Sequence, residues 1–80
     1  MAKILYTQLR DIARRGGCLI IEADDYLPTQ LKEIALFGKA TSSKLVIRHA
    51  SKILYTQCQE IASANPGNVY FDFTEDNSSR

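Results

Sequence analysis

The hexapeptide KILYTQ occurs twice in the chain, at residues 3–8 and again at residues 52–57. The similarity continues past the hexapeptide, because the first copy runs on as LRDIA and the second as CQEIA. A third, more divergent copy, YLPTQLKEIA, occupies residues 26–35. Six identical residues in a chain of 80 indicate a duplicated unit rather than chance.

Each copy is followed by a short run rich in β-forming residues. These runs are CLIIEA at 18–23, KLVIRHA at 44–50 and NVYFDF at 68–73. When the copies are anchored on Gln8, Gln30 and Gln57, they are spaced by 22 and 27 residues, and ATSS at 40–43 accounts for most of the longer spacing. A period in the twenties is typical of α/β repeats.

The copies themselves have the apolar spacing of amphipathic helices. Apolar residues fall at i, i+4, i+7 and i+8 in all of them, which places one apolar stripe on each helix. The stripes are Leu5, Leu9, Ile12 and Ala13; Leu27, Leu31, Ile34 and Ala35; and Leu54, Cys58, Ile61 and Ala62. We expect the helices to open at Tyr6, Pro28 and Tyr55, since proline suits a first helical turn.

The helix ends are also marked in the sequence. Gly16-Gly17, Gly38 and Asn65-Pro66-Gly67 follow the three stripes. Because glycine and asparagine tolerate the left-handed conformation, we expect left-handed caps there. The connections between helices and strands are short.

These features predict an α/β domain of three helix–strand repeat units. Parallel strands joined by right-handed crossovers give a three-stranded parallel sheet of order 1-2-3 with all helices on one face. We expect a single domain over residues 1–74 and a disordered C-terminal tail over residues 75–80.

Alternation along the strands predicts what each face of the sheet carries. The helix-facing set is almost wholly apolar and comprises Leu19, Ile21, Ala23, Leu45, Ile47, His49, Val69, Phe71 and Phe73. The opposite face carries an apolar row and a charged row if the strands align in register. We call the six residues of these rows the open face: Ile20, Val46, Tyr70, Glu22, Arg48 and Asp72.

The open face has two interpretations. It is either a solvated face with a charge ladder that fixes the register, or a contact surface for another protein or a second copy of the chain. In both cases we expect Arg48 to lie between the carboxylates of Glu22 and Asp72. Exposed strand edges also favour self-association.

The segment LVIRHASKILYTQCQEIASANPGNVYF, residues 45–71, resembles the cysteine-containing leucine-rich repeats. Leu45 and Ile47 match the strand positions of that family, and Cys58 matches a helix position, with further matches at Ile61, Ala62, Pro66 and Val69. Ala50 and Asn65 stand where the family prefers cysteine. The resemblance implies a non-catalytic binding scaffold that uses its exposed strand face.

Composition narrows the range of partners and locations. Ten Lys and Arg against nine Asp and Glu give a net charge of +1, so no basic field attracts nucleic acid. No apolar run reaches the ~20 residues of a membrane span. Arg10 and Asp11 precede any long apolar region, so we expect no signal peptide and a cytoplasmic protein. We interpret Cys18 and Cys58 as reduced, partly buried thiols.

Residues that could carry chemistry are few. His49 is the only histidine, and a hydrogen-bonded structural role is favoured over a catalytic or metal-binding one. For Asp24 and Asp25 we favour helix capping and first-turn charge over a ligand site. The repeated Tyr and Thr could bind a polar ligand, but we expect the tyrosines to cover the seam between helices.

The sequence therefore favours a protein without catalysis and without a cofactor. The leading hypothesis is a protein-interaction or self-associating scaffold. A second hypothesis is a small-ligand or nucleotide binder at the C-terminal strand ends, using Asp24, Asp25, His49 and Ser51. A third is an engineered or duplicated repeat with no evolved activity.

Overall fold

In a computed structural model that describes residues 4–74, helices and strands alternate along the chain. The elements are α1 (Tyr6–Arg14), β1 (Leu19–Glu22), α2 (Pro28–Phe37), β2 (Leu45–Arg48), α3 (Tyr55–Ala64) and β3 (Val69–Asp72). Short 3-10 turns occupy Ala23–Asp25, Lys39–Thr41 and Ala50–Lys52. The helices open at the predicted residues. We refer to each helix with its following strand as units 1, 2 and 3. The predicted tail, 75–80, lies outside the described residues.

The strands form one parallel sheet in the predicted order β1-β2-β3. Equivalent residues of the three strands pair with one another, so Ile20 is level with Val46 and Tyr70. In the same way, Glu22 is level with Arg48 and Asp72. Because side chains alternate along each strand, this register creates the two rows of the open face.

All three helices pack against the other face of the sheet and bury the core there. Leu31, Ile34 and Ile47 are fully buried, and Ile61 is 1% exposed. Helix α2 lies between α1 and α3, and β2 lies between β1 and β3, so the deepest residues belong to the middle of the molecule. The predicted α/β fold is confirmed.

The repeated glutamine explains where each helix begins. Gln8 Oε1 accepts a hydrogen bond from the backbone N–H of Leu5 at 3.1 Å, and Gln30 does the same for Leu27 at 2.9 Å. Gln57 accepts from Leu54 at 3.3 Å. Each leucine is the N-cap in an extended conformation and has no side-chain acceptor, so only the glutamine half of a capping box is present.

The leucines that open the predicted stripes do not join the core. Leu5 and Leu27 are each 63% exposed and Leu54 is 67% exposed. The stripe prediction was wrong at these positions because an N-cap residue precedes the first helical turn. Ile12 also departs from its stripe, since it is 40% exposed.

The predicted left-handed helix ends are confirmed at two glycines and corrected at two other residues. Gly16 has a φ of 95° and Gly67 a φ of 82°, but Gly38 has a φ of −84° and Asn65 a φ of −150°. Gly38 is needed for space, because a Cβ there would lie 2.9 Å from the Cβ of Ser43. Asn65 is buried and serves as a hydrogen-bonding residue instead.

A buried polar ladder joins the three units at the N-terminal edge of the sheet. The Ser43 hydroxyl donates to the carbonyl of Gly17, and Asn65 Nδ2 donates to the carbonyl of Ser43 at 2.9 Å. Asn65 Oδ1 accepts from Asn68 at 3.0 Å. The ATSS insertion thus supplies the middle of the ladder, which satisfies backbone groups that burial would otherwise leave without partners.

Both cysteines carry free thiols. Cys58 is buried as predicted, and burial raises the pKa of its thiol, whereas Cys18 is exposed, so the prediction of partial burial was wrong for Cys18. Within residues 4–74, no helix is long and apolar enough to cross a membrane.

Candidate functional site

The apolar row of the open face lies on the side of the sheet that no helix covers. Ile20 is 71% exposed and Tyr70 is 48% exposed, while Val46 between them is half-buried. One residue from each strand contributes, and the parallel register holds the three side chains in line. The sheet therefore presents a short apolar strip to solvent.

The charged row lies beside this strip, at the C-terminal ends of the strands. Arg48 Nη1 is 3.3 Å from Glu22 Oε2. The predicted neighbour on the other side, Asp72, is level with Arg48, but its Oδ1 accepts hydrogen bonds from the amide of Thr74 at 2.9 Å and from its hydroxyl. Arg48 thus pairs directly with one of the two carboxylates.

The bonds from Thr74 also change the acidity of Asp72. Its pKa lies below the ordinary value of 3.8, first because the Thr74 hydroxyl and amide stabilise the carboxylate. The positive charge of Arg48 and the nearby His49 act in the same direction. Asp72 is therefore charged at neutral pH, and the row keeps its alternating sign.

His49 lies on the opposite side of the strand from its predicted position. It follows the last residue of β2 in a left-handed conformation, with a φ of 58°, and its Nδ1 is paired with Glu22 Oε1. The turn interrupts the alternation of β2, so His49 leaves the helix-facing set and extends the charged row. Phe73 leaves that set too, since it follows the end of β3 and is 58% exposed.

Two residues of the predicted small-ligand site, Asp24 and His49, are paired with other side chains. Asp24 and Asp25 lie in the first 3-10 turn and do not cap α2, whose N-cap is Leu27. Asp24 Oδ2 is 3.2 Å from Lys52 Nζ, which ties the first and third turns together. Among the described residues, no group of three or more His, Cys, Asp or Glu is placed to hold a metal ion.

The tyrosines differ from one another more than predicted. Tyr6 packs against the core and has the Arg10 guanidinium 5.8 Å from its ring centre, as a seam residue should. Tyr55 is 75% exposed, so the prediction was wrong there. The side chain of Tyr26 was not singled out by the sequence, but its hydroxyl donates to the carbonyl of Ile4.

Sequence reasoning missed a row of exposed leucines on the rim where the helices begin. Leu5, Leu27 and Leu54 occupy the N-cap position, where Ser, Thr, Asp or Asn would stabilise a helix better. The sequence did contain a signal for these N-cap positions, because each leucine stands three residues before a repeated glutamine. A separate groove of about 390 Å³ lies between α2 and α3. Its lining includes Lys32, Leu36 and Gln59.

The open face supplies contact chemistry. An apolar strip can exclude water against a partner surface, and a neighbouring ion pair can select for complementary charge. Comparisons with protein-family models, with curated proteins and with solved structures found no match to this chain.

Proposed function

We propose that this protein is a non-catalytic scaffold whose open face contacts another protein chain, either a different protein or a second copy. The observation that carries the proposal is a purely parallel sheet with helices on only one side. Parallel sheets occur almost only where both faces are covered, which suggests that the uncovered face here has a partner.

The composition of the open face supports this proposal. Ile20 and Tyr70 are large and exposed, and tyrosine is enriched in the cores of protein interfaces. They lie on the two edge strands with Val46 between them, so a partner would bury them as one strip.

The charged row would set the orientation and choice of that partner. Arg48 lies on the central strand and keeps about half of its side chain exposed while paired with Glu22. Such partly exposed charges contribute more to specificity and to the rate of association than to affinity. The resemblance to leucine-rich repeats, which implies binding through the exposed strand face, supports the same surface.

The proposed scaffold works without a cofactor in the cytoplasm, and its near-neutral net charge favours protein over nucleic acid as the partner. Two free thiols are consistent with a reducing compartment.

Charge reversal at the centre of the open face tests the proposal. Arg48→Glu places a third acidic group between Glu22 and Asp72. We expect at least a tenfold loss of binding, because a partner surface complementary to Arg48 would meet a negative charge in place of a positive one. The measurements are light scattering for the oligomeric state and affinity capture followed by titration of the captured protein.

Lys39→Glu is the matched control, since it reverses an exposed charge in the second 3-10 turn, at the other end of the helices. We expect it to leave binding unchanged. If Arg48→Glu changes neither the oligomeric state nor partner capture, the open face is not the contact surface.

A further inference from the structure

Equivalent residues in the three units are buried to very different extents. Ile12, Ile34 and Ile61 occupy the same helical position, yet Ile12 is 40% exposed whereas Ile34 is 0% and Ile61 is 1% exposed. Ile4 is likewise 42% exposed, although its equivalent Ile53 is 7% exposed. In units 2 and 3 the helix of a preceding unit packs alongside, whereas no helix of the described residues precedes α1. We call the uncovered surface of unit 1, with Ile4 and Ile12, the leading face.

Unit 3 shows the converse difference at positions that a following unit covers. Tyr55 is 75% exposed, while its equivalent Tyr6 is half-buried against the core. Ala62 is half-buried, whereas its equivalents are 2% exposed in unit 1 and 1% exposed in unit 2.

The same difference extends to β3. Phe71 is half-buried where the equivalent Ile21 and Ile47 are buried, and it stacks with the exposed Phe73 at 6.2 Å between ring centres. We call the surface formed by Tyr55, Ala62, Phe71 and Phe73 the trailing face.

Inside the molecule, the surface of unit 1 that corresponds to the trailing face packs on unit 2. The corresponding surface of unit 2 packs on unit 3 in the same way. Between units 1 and 2 the contact includes the bond from the Tyr26 hydroxyl to Ile4 and the Arg10 guanidinium 4.7 Å from the Phe37 ring centre. The packing of α1 on α2 is as extensive as that of α2 on α3. The Tyr26 hydroxyl and the Arg10 guanidinium belong to the contact between units 1 and 2 alone, because Ile4 and Ile53 are equivalent to Tyr26, and Gln59 is equivalent to Arg10 in unit 3. Unit 3 begins with the same hexapeptide as unit 1.

We propose that a second copy of this chain stacks its leading face on the trailing face of the first. Helix α3 of one copy would lie against α1 of the next, and the edge of β3 would pair in parallel with the edge of β1, continuing the internal order. The exposed edge groups favour such pairing.

The charges permit this junction. Inside the molecule, Arg10 pairs with Glu33 at 3.5 Å. Across the proposed junction the equivalent residues are Gln59 of one copy, whose amide can donate a hydrogen bond, and Asp11 of the next, whose carboxylate can accept it. The contact joins two different surfaces, so it is head-to-tail and builds rings or open filaments rather than a closed two-fold dimer.

This inference concerns the ends of the sheet and is independent of the open face. Its test is sedimentation velocity from about 10 μM to 1 mM chain, a range that populates complexes of weak to moderate affinity. We expect the wild-type mass to rise with concentration. Ile12→Asp and Tyr55→Asp should each abolish the rise, with circular dichroism confirming the fold. Ile4→Asp serves as a second leading-face variant.

Mixing the two single variants gives the decisive result. The Ile12→Asp protein keeps an intact trailing face and the Tyr55→Asp protein an intact leading face, so their mixture should form a dimer that neither forms alone. Adding Arg48→Glu to both variants should leave this dimer intact, because the substitution changes only the open face. A wild type that stays monomeric at ~1 mM, or a mixture that fails to form the dimer, overturns the proposal.

Discussion

At the scale of single residues, the repeated glutamine has a structural role that its sequence context only half reveals. The repeated Thr-Gln pair suggested a helix start, and the helices do begin there. The hydrogen bond from the N–H of Leu54 to Gln57 Oε1 was not predicted, because serine or threonine normally marks a capping box and leucine stands in that position.

Replacing Gln57 by alanine tests this capping role. Gln57→Ala leaves the Leu54 N–H to solvent, so we expect a loss of about 0.5–1 kcal/mol in the free energy of unfolding, the lower part of the range for a net hydrogen bond. Urea denaturation measures it. Gln59→Ala is the matched control, since it makes the same change on the exposed surface of α3. Equal effects of the two substitutions would refute the capping role.

Asp72 gives a pH-dependent prediction at the same scale. Its pKa is lowered in the folded state, so its carboxylate stabilises the protein above the ordinary pKa of 3.8, and that contribution is lost as the pH falls through the lowered value. Thr74→Val removes the hydroxyl donor and should raise the pKa of Asp72, measured from its carboxyl carbon shift by NMR. Thr74→Ser, which keeps the hydroxyl, should not. An unchanged pKa in Thr74→Val would show that the hydroxyl is unimportant.

His49 shows what sequence alternation could not provide. The alternation along β2 predicted that the His49 side chain faces the helices, but a left-handed turn places it beside Glu22. Non-glycine residues adopt that conformation infrequently, so pattern reasoning places them in the regular strand by default.

At the scale of helices and strands, the apolar stripe was predictable in its middle and unreliable at its ends. Leu31, Ile34 and Ala35 are buried because the helical period brings them to one side of α2. Leu27 has the right spacing but stands before the first turn, where the period no longer applies.

Two leucines of α2 test the assignment of its buried side. Leu31 is 0% exposed and Leu36 is 51% exposed. We expect Leu31→Ala to cost about 2–5 kcal/mol of unfolding free energy, since it leaves a cavity in the core. Leu36→Ala should change it by about 0.5 kcal/mol or less. Denaturant titration of both variants decides the matter, and a cost below ~1 kcal/mol for Leu31→Ala would mean that the stripe is misassigned.

At the scale of the whole molecule, the strand order and register followed from the sequence because three similar units joined by short connections have few ways to pack. The six residues of the open face lie together as predicted. The unequal burial of Ile12 and Tyr55 could not be read from the sequence, since equivalent residues look the same until the neighbours of each unit are known.

The open face and the groove between α2 and α3 are rival contact surfaces, and amide chemical-shift mapping separates them. The labelled protein would be titrated with its captured partner at a concentration where the chain alone does not associate. We predict the largest shifts at Ile20, Val46 and Tyr70, with little change at Gln59 and Ser63 behind the helices. Shifts confined to the groove residues, with the strands unaffected, would contradict the account.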